Sequence, residues 1–378
     1  MALCSIDLGA QPDVEKLFSS NVAGDGATLA ATVGHWFAQT LQRDGNAALT
    51  ANLRIDGGRC LLDLDGPAAA QGACGAYAER LTAFLAHGLA ALNDVVPQIV
   101  AAGKWNPDPT QPGDVWRFFL PLGLPLLNQR SLQFFHYPPL RLLDPMRDYL
   151  NDPVPKRWEE LLRANGVAAG DEPLHECVMD ATPIAAPDDQ GSKKSAKGDP
   201  VWGLIPIQCF TDYQKAQVRL LLNGAPGRPG FTIPVVVYGA HPRDIFTLDF
   251  SPAAKLGVNV ATHATIVGNA VTPVLATNHP YMFYAVAQGG NSVGSGKING
   301  DPAKIRSLML SDLAAARWQV TMAADPTGDP AATLAACAAY WNDPARQPLV
   351  SDLIAHQGSL YYPNPDALSF EFLVPSPV

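Results

Sequence analysis

The chain has 378 residues, of which 47% are hydrophobic and 16% are charged, a balance typical of a folded protein and not of a disordered one. Its formal net charge is −9 at pH 7, and its one cluster of basic residues is Lys193, Lys194 and Lys197. Nucleic-acid binding requires a basic surface that displaces counterions, so no nucleic acid is expected as a partner. Residues 1–10 lack the pattern of a signal peptide, and we expect a soluble, cytoplasmic protein with no membrane partner.

The six cysteines form no CxxC pair and have no short regular spacing, which predicts packed, reduced thiols without disulfides. They are Cys4, Cys60, Cys74, Cys177, Cys209 and Cys337.

The N-terminal half begins with apolar residues at helical spacing over 25–43, which predict an amphipathic helix. Residues 49–55 and 59–64 are typical of strands, and Asp56, Gly57 and Gly58 between them favour a tight hairpin turn. A helix rich in Ala and Leu is predicted over 68–93. Residues 1–184 are therefore expected to form a helix-rich part that contains one β-hairpin.

Residues 185–200 contain no large apolar side chain and are rich in Gly, Ser, Lys and Asp. Because such a stretch contributes nothing to a core, it predicts a flexible linker or loop between residues 1–184 and residues 201–378.

The C-terminal half is richer in β-branched and aromatic runs bounded by Gly, Pro or Asn, which predict strands. Helices are predicted only late, at 301–316, 329–341 and 346–356. The fold class expected is therefore α/β or α+β, with a mixed β-sheet in the C-terminal half and flanking helices. The predicted strands are 201–210, 231–238, 258–267, 271–276, 281–287, 318–323 and 369–374.

Five Asp-Pro pairs mark predicted helix starts, because Asp accepts a hydrogen bond from a first-turn N–H and Pro needs no donor there. The pairs begin at Asp144, Asp152, Asp301, Asp329 and Asp343.

Three histidines lie in or after predicted strands and are weak candidates for metal ligands: His241, His263 and His279, with Asp244 as a possible carboxylate ligand. Their spacing matches no closed metal motif. The alternative interpretation is that these histidines have structural roles only, and no cofactor is identified from the sequence.

The glycine-rich segment 289–300 contains the pattern GxSxG at residues 290–294, with Ser292 at its centre. This pattern resembles the nucleophile elbow of the α/β-hydrolases. The resemblance implies a serine hydrolase acting on an ester or amide, with Ser292, Asp325 and His356 as its catalytic residues in the chain order of that family. The segment departs from the family because further glycines delay the following helix to residue 301.

Two other interpretations remain open. Residues 61–66 resemble the opening motif of haloacid-dehalogenase-type phosphatases, in which Asp63 and Asp65 would face a phosphoryl group and Mg²⁺; Pro67 departs from that pattern. Alternatively, the chain is a non-catalytic assembly component whose aromatic and proline-rich segments 105–140 and 361–375 contact a protein partner. A small-molecule ligand is the partner expected of an enzyme.

Overall fold

The structure is a computed structural model in which part of the chain is described. The described residues are 2–18, 37, 41, 48–71, 74–75, 78, 81–82, 86, 93, 117–118, 130–135, 153–180, 184–185, 233–239, 250–253, 258–267, 270–280, 282–283 and 302–360.

The first sheet is a small antiparallel unit near the N-terminus. Strand β1 spans Cys4–Ala10, helix α1 follows at Gln11–Phe18, and strands β2 (Thr50–Asp56) and β3 (Arg59–Asp65) complete the sheet in the order β1-β3-β2. The turn between β2 and β3 uses Gly57 at φ 56° and Gly58 at φ 78°. Glycine adopts left-handed conformations without steric cost, so the predicted hairpin is confirmed together with the reason for its turn.

The main sheet has six strands in the order β6-β5-β8-β11-β10-β9. Strands β5, β6, β8 and β11 are parallel, whereas β9 and β10 pair antiparallel. All four residues of β8 are fully buried, which explains its unbroken apolar sequence, because a central parallel strand is covered on both faces. The strands are β5 (Leu132–Phe135), β6 (Cys177–Asp180), β8 (Val235–Tyr238), β9 (Phe250–Ala253), β10 (Val258–Val267) and β11 (Ala270–Thr277), while β4 (Arg117–Phe118) and β7 (Ile184–Ala185) form a separate two-stranded ladder.

Four further helices are described: α2 (Pro153–Ala164), α3 (Pro302–Ala324), α4 (Pro330–Asn342) and α5 (Gln347–Leu360). Helix α3 is central to their packing, since it contacts α2, α4, α5 and strand β11. Its middle is buried around most of its circumference, with Leu313, Ala314, Ala315 and Ala316 each fully buried. The run of alanines lets neighbouring helices approach closely.

The predicted fold class is corrected in two respects. Within the described residues, helices lie mostly in the C-terminal half, so a helix-rich N-terminal half is wrong. The mixed sheet is also not confined to the C-terminal half, because β5 and β6 come from residues before 185. Pattern alone could not show this, since the short strands β5 and β6 become recognisable only through the strands they pair with.

Single elements were also predicted wrongly. Residues 318–323 belong to helix α3 and do not form a strand, and Met282 and Phe283 are helical although a strand was predicted at 281–287. A short apolar run buried on all sides has no period that separates helix from strand, which explains both errors. The helices predicted at 301–316, 329–341 and 346–356 are confirmed, with shifted ends.

Several predicted segments lie largely or wholly outside the described residues. Isolated residues of the two predicted N-terminal helices are described, and all of them are helical. They are Phe37 and Leu41 in the first helix and the described residues between Gln71 and Asn93 in the second. Of the linker 185–200 only Ala185 is described, so the division of the chain at that point stays a prediction. The strands predicted at 201–210 and 369–374 are not described.

The Asp-Pro rule for helix starts can be tested at α4. The carboxylate of Asp329 accepts a hydrogen bond from the Ala332 N–H at 2.7 Å, and Pro330 is the first helical residue. We expect Asp329→Ala to lower the free energy of unfolding by about 1 kcal/mol, whereas Asp329→Asn keeps the acceptor and changes it little. Equal losses in both variants, measured by urea unfolding, would show that the side chain does not act as a cap.

Candidate ligand site at the carboxyl edge of the main sheet

The carboxyl ends of the four parallel strands meet at one edge of the main sheet. Phe135 of β5 pairs with Asp180 of β6, and Tyr238 of β8 pairs with Thr277 of β11. Along the chain, β5 is followed by β6 on one side of it and then by β8 on its other side. The order of the strands therefore reverses at this edge, which makes it a topological switch point. In open sheets of this kind, ligands bind outside the carboxyl ends of the strands at such a switch.

Gly239 and His279 lie next to this edge. Gly239 has φ +86° and donates its N–H to the Thr277 carbonyl at 2.8 Å. A Cβ atom at position 239 would lie 3.7 Å from the His279 Cβ atom. The left-handed turn after β8 therefore brings the chain directly beside His279, which is partly exposed.

A buried hydroxyl lies at the end of β11. Thr277 is 5% exposed, and its Oγ1 atom has no hydrogen-bond partner among the described residues. A buried hydroxyl without a hydrogen bond costs free energy, and a ligand bound at this edge could supply the missing partner.

Helix α3 runs in the direction opposite to the parallel strands. Gln319, near its C-terminal end, donates a hydrogen bond to Ser131 Oγ, directly before the amino end of β5. Asp312, two turns earlier in the helix, pairs with Arg157, whose guanidinium lies 4.4 Å from the ring centre of Phe283, beyond the carboxyl end of β11. The N-terminal end of α3 is therefore directed towards the carboxyl edge.

A buried ion pair joins helices α2 and α3 near this edge. Arg157 Nη2 and Asp312 Oδ2 are 2.6 Å apart, and both side chains are at most 2% exposed. Burial raises the pKa of Asp312 to about 6, although the attraction of Arg157 acts in the opposite direction. Next to it, the rings of Trp158 and Tyr238 meet edge to face at a centroid distance of 4.9 Å and join α2 to β8.

The opposite, amino edge is closed by a hydrogen-bond network centred on Gln319. Its amide nitrogen donates to Ser131 Oγ and to the His175 carbonyl, each at 2.6 Å. Its amide oxygen accepts from Trp158 Nε1 at 3.1 Å and Gln133 Nε2 at 3.4 Å. Burial, followed by the charge of nearby Arg130, lowers the pKa of His175 to about 4, so the His175 side chain is neutral at pH 7.

The structure places the predicted catalytic residues as follows. Ser292 lies outside the described residues. Asp325 follows the end of α3, and its carboxylate accepts hydrogen bonds from Thr327 within its own turn and not from His356. His356 is an exposed residue of α5 whose Nε2 atom lies 3.2 Å from Glu160 of α2, a partner that the sequence reading did not identify.

Among the candidate metal ligands, His241 and Asp244 are not described, and His263 and His279 are not brought together. The register pairs Ala261 with Val274 and Ala264 with Thr272, so His263 lies beside the N-terminal half of β11. His279 follows the other end of that strand, about 20 Å away at 3.3 Å per residue. No group of three His, Cys, Asp or Glu residues in the described part of the chain is arranged to hold a metal ion.

The phosphatase-like motif lies on β3 of the small antiparallel sheet. Asp63 is paired with Arg54 at 2.8 Å, in a cross-strand ion pair of the hairpin. The segments 105–140 and 361–375, the proposed contact surfaces of an assembly protein, are described only at 117–118 and 130–135.

Comparison with known proteins adds no family to this picture. The chain matches no protein-family description, no curated protein and no solved structure. None of the described helices is both long enough and apolar enough to cross a membrane.

Proposed function

We propose that this protein is a hydrolase whose small-molecule site lies at the carboxyl edge of β5, β8 and β11, with Ser292 as nucleophile and an ester or amide as substrate. The observation that carries the proposal is the position of the two described segments that flank the glycine-rich segment 289–300. His279 to Phe283 precede it at the carboxyl edge, and α3 follows it with its N-terminal end directed to the same edge.

The geometry of α3 changes the choice of partner residues for Ser292. Asp325 lies beyond the far end of this helix of 23 residues, about 34 Å from its first residue at 1.5 Å per residue. His356 is already within hydrogen-bond distance of Glu160 on the protein surface. Among the described histidines, His279 is the one that lies at the carboxyl edge, so the proposal assigns it, and not His356, as the general base.

In this mechanism the Ser292 hydroxyl attacks the substrate carbonyl carbon while His279 takes the hydroxyl proton and passes it to the departing alcohol or amine. Water then attacks the acyl-enzyme while His279 takes a proton from it, and the acyl–oxygen bond breaks to release the carboxylic acid as His279 returns that proton to Ser292. Backbone N–H groups of a glycine-rich segment and of a helix N-terminus are suitable donors to the oxyanion, since glycine leaves them accessible.

A fluorophosphonate probe tests this proposal on the full-length chain. We expect the probe to label Ser292 at neutral pH, Ser292→Ala to abolish labelling, and His279→Gln to slow it by about 10²–10⁴-fold, the range typical of a lost general base. His356→Gln is the matched control and should label at the rate of the unsubstituted protein. Absence of labelling, or labelling of a different serine, contradicts the proposed function; loss of labelling in His356→Gln alone would restore the original choice of base.

A further inference from the structure

A tyrosine ring on α4 lies between two arginines. The guanidinium carbons of Arg317, on α3, and of Arg346, in the turn after α4, each lie 3.6 Å from the ring centre of Tyr340. At that distance a guanidinium lies over the face of the ring, and one face has no room for two of them. The two guanidiniums therefore stack on opposite faces, at most about 7 Å apart, and we call these three residues the Arg-Tyr-Arg stack.

The stack is held in place by the structure around it. Helix α3, which carries Arg317, packs against α4. After α4, the side-chain amide of Gln347 donates to the Trp341 and Asp343 carbonyls at 2.8 and 3.1 Å. These bonds fix the turn that carries Arg346. Because both arginines are positioned before a ligand arrives, binding costs little further side-chain entropy.

The stack carries more positive charge than its neighbouring carboxylate balances. Arg346 pairs with Asp343 at 2.7 Å. Arg317 has no ion pair and no side-chain hydrogen bond among the described residues, and it is partly exposed. One positive charge is therefore left without a counter-charge, in a chain whose formal net charge is −9. A guanidinium stacked on a ring still has the N–H groups along its edge for an anion.

We propose that the Arg-Tyr-Arg stack binds a dianionic phosphate group, either inorganic phosphate or the phosphate of a small phosphate monoester. Planar guanidinium edges match pairs of phosphate oxygens. Beside the edge of the ring, a tetrahedral group presents oxygens towards both guanidiniums at once. A carboxylate has two oxygens in one plane, which a single guanidinium already satisfies, so a phosphate matches two stacked arginines better.

The neighbouring carboxylate decides which arginine contributes most. Asp343 already occupies one edge of Arg346 and repels an anion, so Arg317 provides the stronger contact. Arg317 also separates this site from the carboxyl edge of the main sheet. It lies about 22 Å along α3 from the first residue of that helix, at 1.5 Å per residue, and the first residue is at the end directed to the carboxyl edge. The proposal is therefore independent of the hydrolase function.

Tyr340 supplies a spectroscopic measure of binding. Its interaction with Arg346, together with the charge of Arg317, lowers the pKa of the Tyr340 phenol, whereas burial and the charge of Asp343 act in the opposite direction. A bound anion offsets the positive charge, so it should raise this pKa. Nuclear magnetic resonance of protein labelled with ¹³C at the tyrosine Cζ atoms follows the ionisation, and Tyr340→Phe identifies the signal among the ten tyrosines.

Isothermal titration of the full-length protein at pH 8 and low salt tests the proposal, with inorganic phosphate and glycerol 3-phosphate as separate probes, both mainly dianionic at this pH. Arg317→Lys keeps the charge but loses the planar N–H edge, and we expect it to weaken binding about tenfold or more. Asp343→Asn keeps the acceptor for the Ala345 N–H and removes the repelling charge. We expect it to tighten binding about two- to fivefold.

Arg59→Lys is the matched control, because Arg59 pairs with Asp7 at the protein surface and its replacement should leave the affinity unchanged. Binding of both probes supports recognition of the phosphate group itself, and binding of one probe identifies that source of the phosphate. Absence of saturable binding would overturn the proposal. So would equal affinity in Arg317→Lys, which indicates an adventitious ion only, or a Tyr340 pKa that saturating phosphate does not raise.

Discussion

Arg157→Met is expected to lower the free energy of unfolding by about 3–5 kcal/mol at pH 8, because it leaves the buried Asp312 carboxylate without its cation. Arg157 holds the pKa of Asp312 down against burial, and that pKa is still raised to about 6. Without Arg157 the pKa must rise further. In the variant, Asp312 either stays protonated to a higher pH or carries a buried negative charge without a cation. Either alternative destabilises the fold at pH 8.

The pH dependence of this loss follows from the direction of the shift. An acid whose pKa is raised in the folded state binds more protons when folded, so its contribution to stability falls as the pH rises from about 4 through the folded pKa. In Arg157→Met the contribution of Asp312 to stability continues to fall above pH 6, whereas in the unsubstituted protein it has already levelled off there. The difference between the two proteins should thus be smaller at pH 5 than at pH 8.

Urea unfolding at both pH values measures the effect. The double variant Arg157→Met with Asp312→Asn removes both charges and should recover much of the stability and the pH dependence. Arg59→Met is the control, because Arg59 pairs with Asp7 at the protein surface and its loss should change stability little. An Arg157→Met loss no larger than that of the control would show that the buried pair is not ionised in the fold.

Gln319→Leu is expected to cost about 2–4 kcal/mol at any pH, since the apolar side chain leaves the buried Trp158 N–H without its acceptor and removes the donors to Ser131 and the His175 carbonyl. Gln319→Glu should be worse than Gln319→Leu at pH 8. A carboxylate cannot donate to the His175 carbonyl, 2.6 Å from the present amide nitrogen, and it is buried without a cation among its described contacts.

The two Gln319 variants differ in a second observable. Protonation restores one donor to the glutamic acid, so the stability of Gln319→Glu should rise as the pH falls from 8 to 5 relative to that of Gln319→Leu. His175 contributes little to this difference, because its pKa of about 4 leaves it largely neutral between pH 5 and pH 8. A constant difference in stability between the two variants over this pH range would contradict the assignment of the Gln319 amide nitrogen as the donor to the His175 carbonyl.

The candidate site illustrates what residue order alone leaves undecided. The sequence order Ser292, Asp325, His356 matched that of a known enzyme class, yet a carboxylate after α3 and an imidazole on α5 are placed by helix packing and not by order. The Asp325 carboxylate is hydrogen-bonded by Thr327, and the His356 imidazole is within hydrogen-bond distance of Glu160. His279 was already recognisable as a polar residue after an apolar strand, but its neighbour Gly239 became apparent only from strand pairing.

By itself the sequence determined the features that depend on nearby residues: the Gly57-Gly58 hairpin, the Asp329 cap and the three C-terminal helices, each of which follows from backbone conformation or from a periodic apolar pattern. Only the tertiary structure decided which strands share a sheet, because β5 and β6 are four residues long and their stability comes from pairing with distant strands. It likewise decided that residues 318–323 are helical. Burial on every side removes the period that would have distinguished helix from strand. The same burial pairs Arg157 with Asp312 and joins Gln319 to Ser131 and Trp158, because buried polar groups need partners.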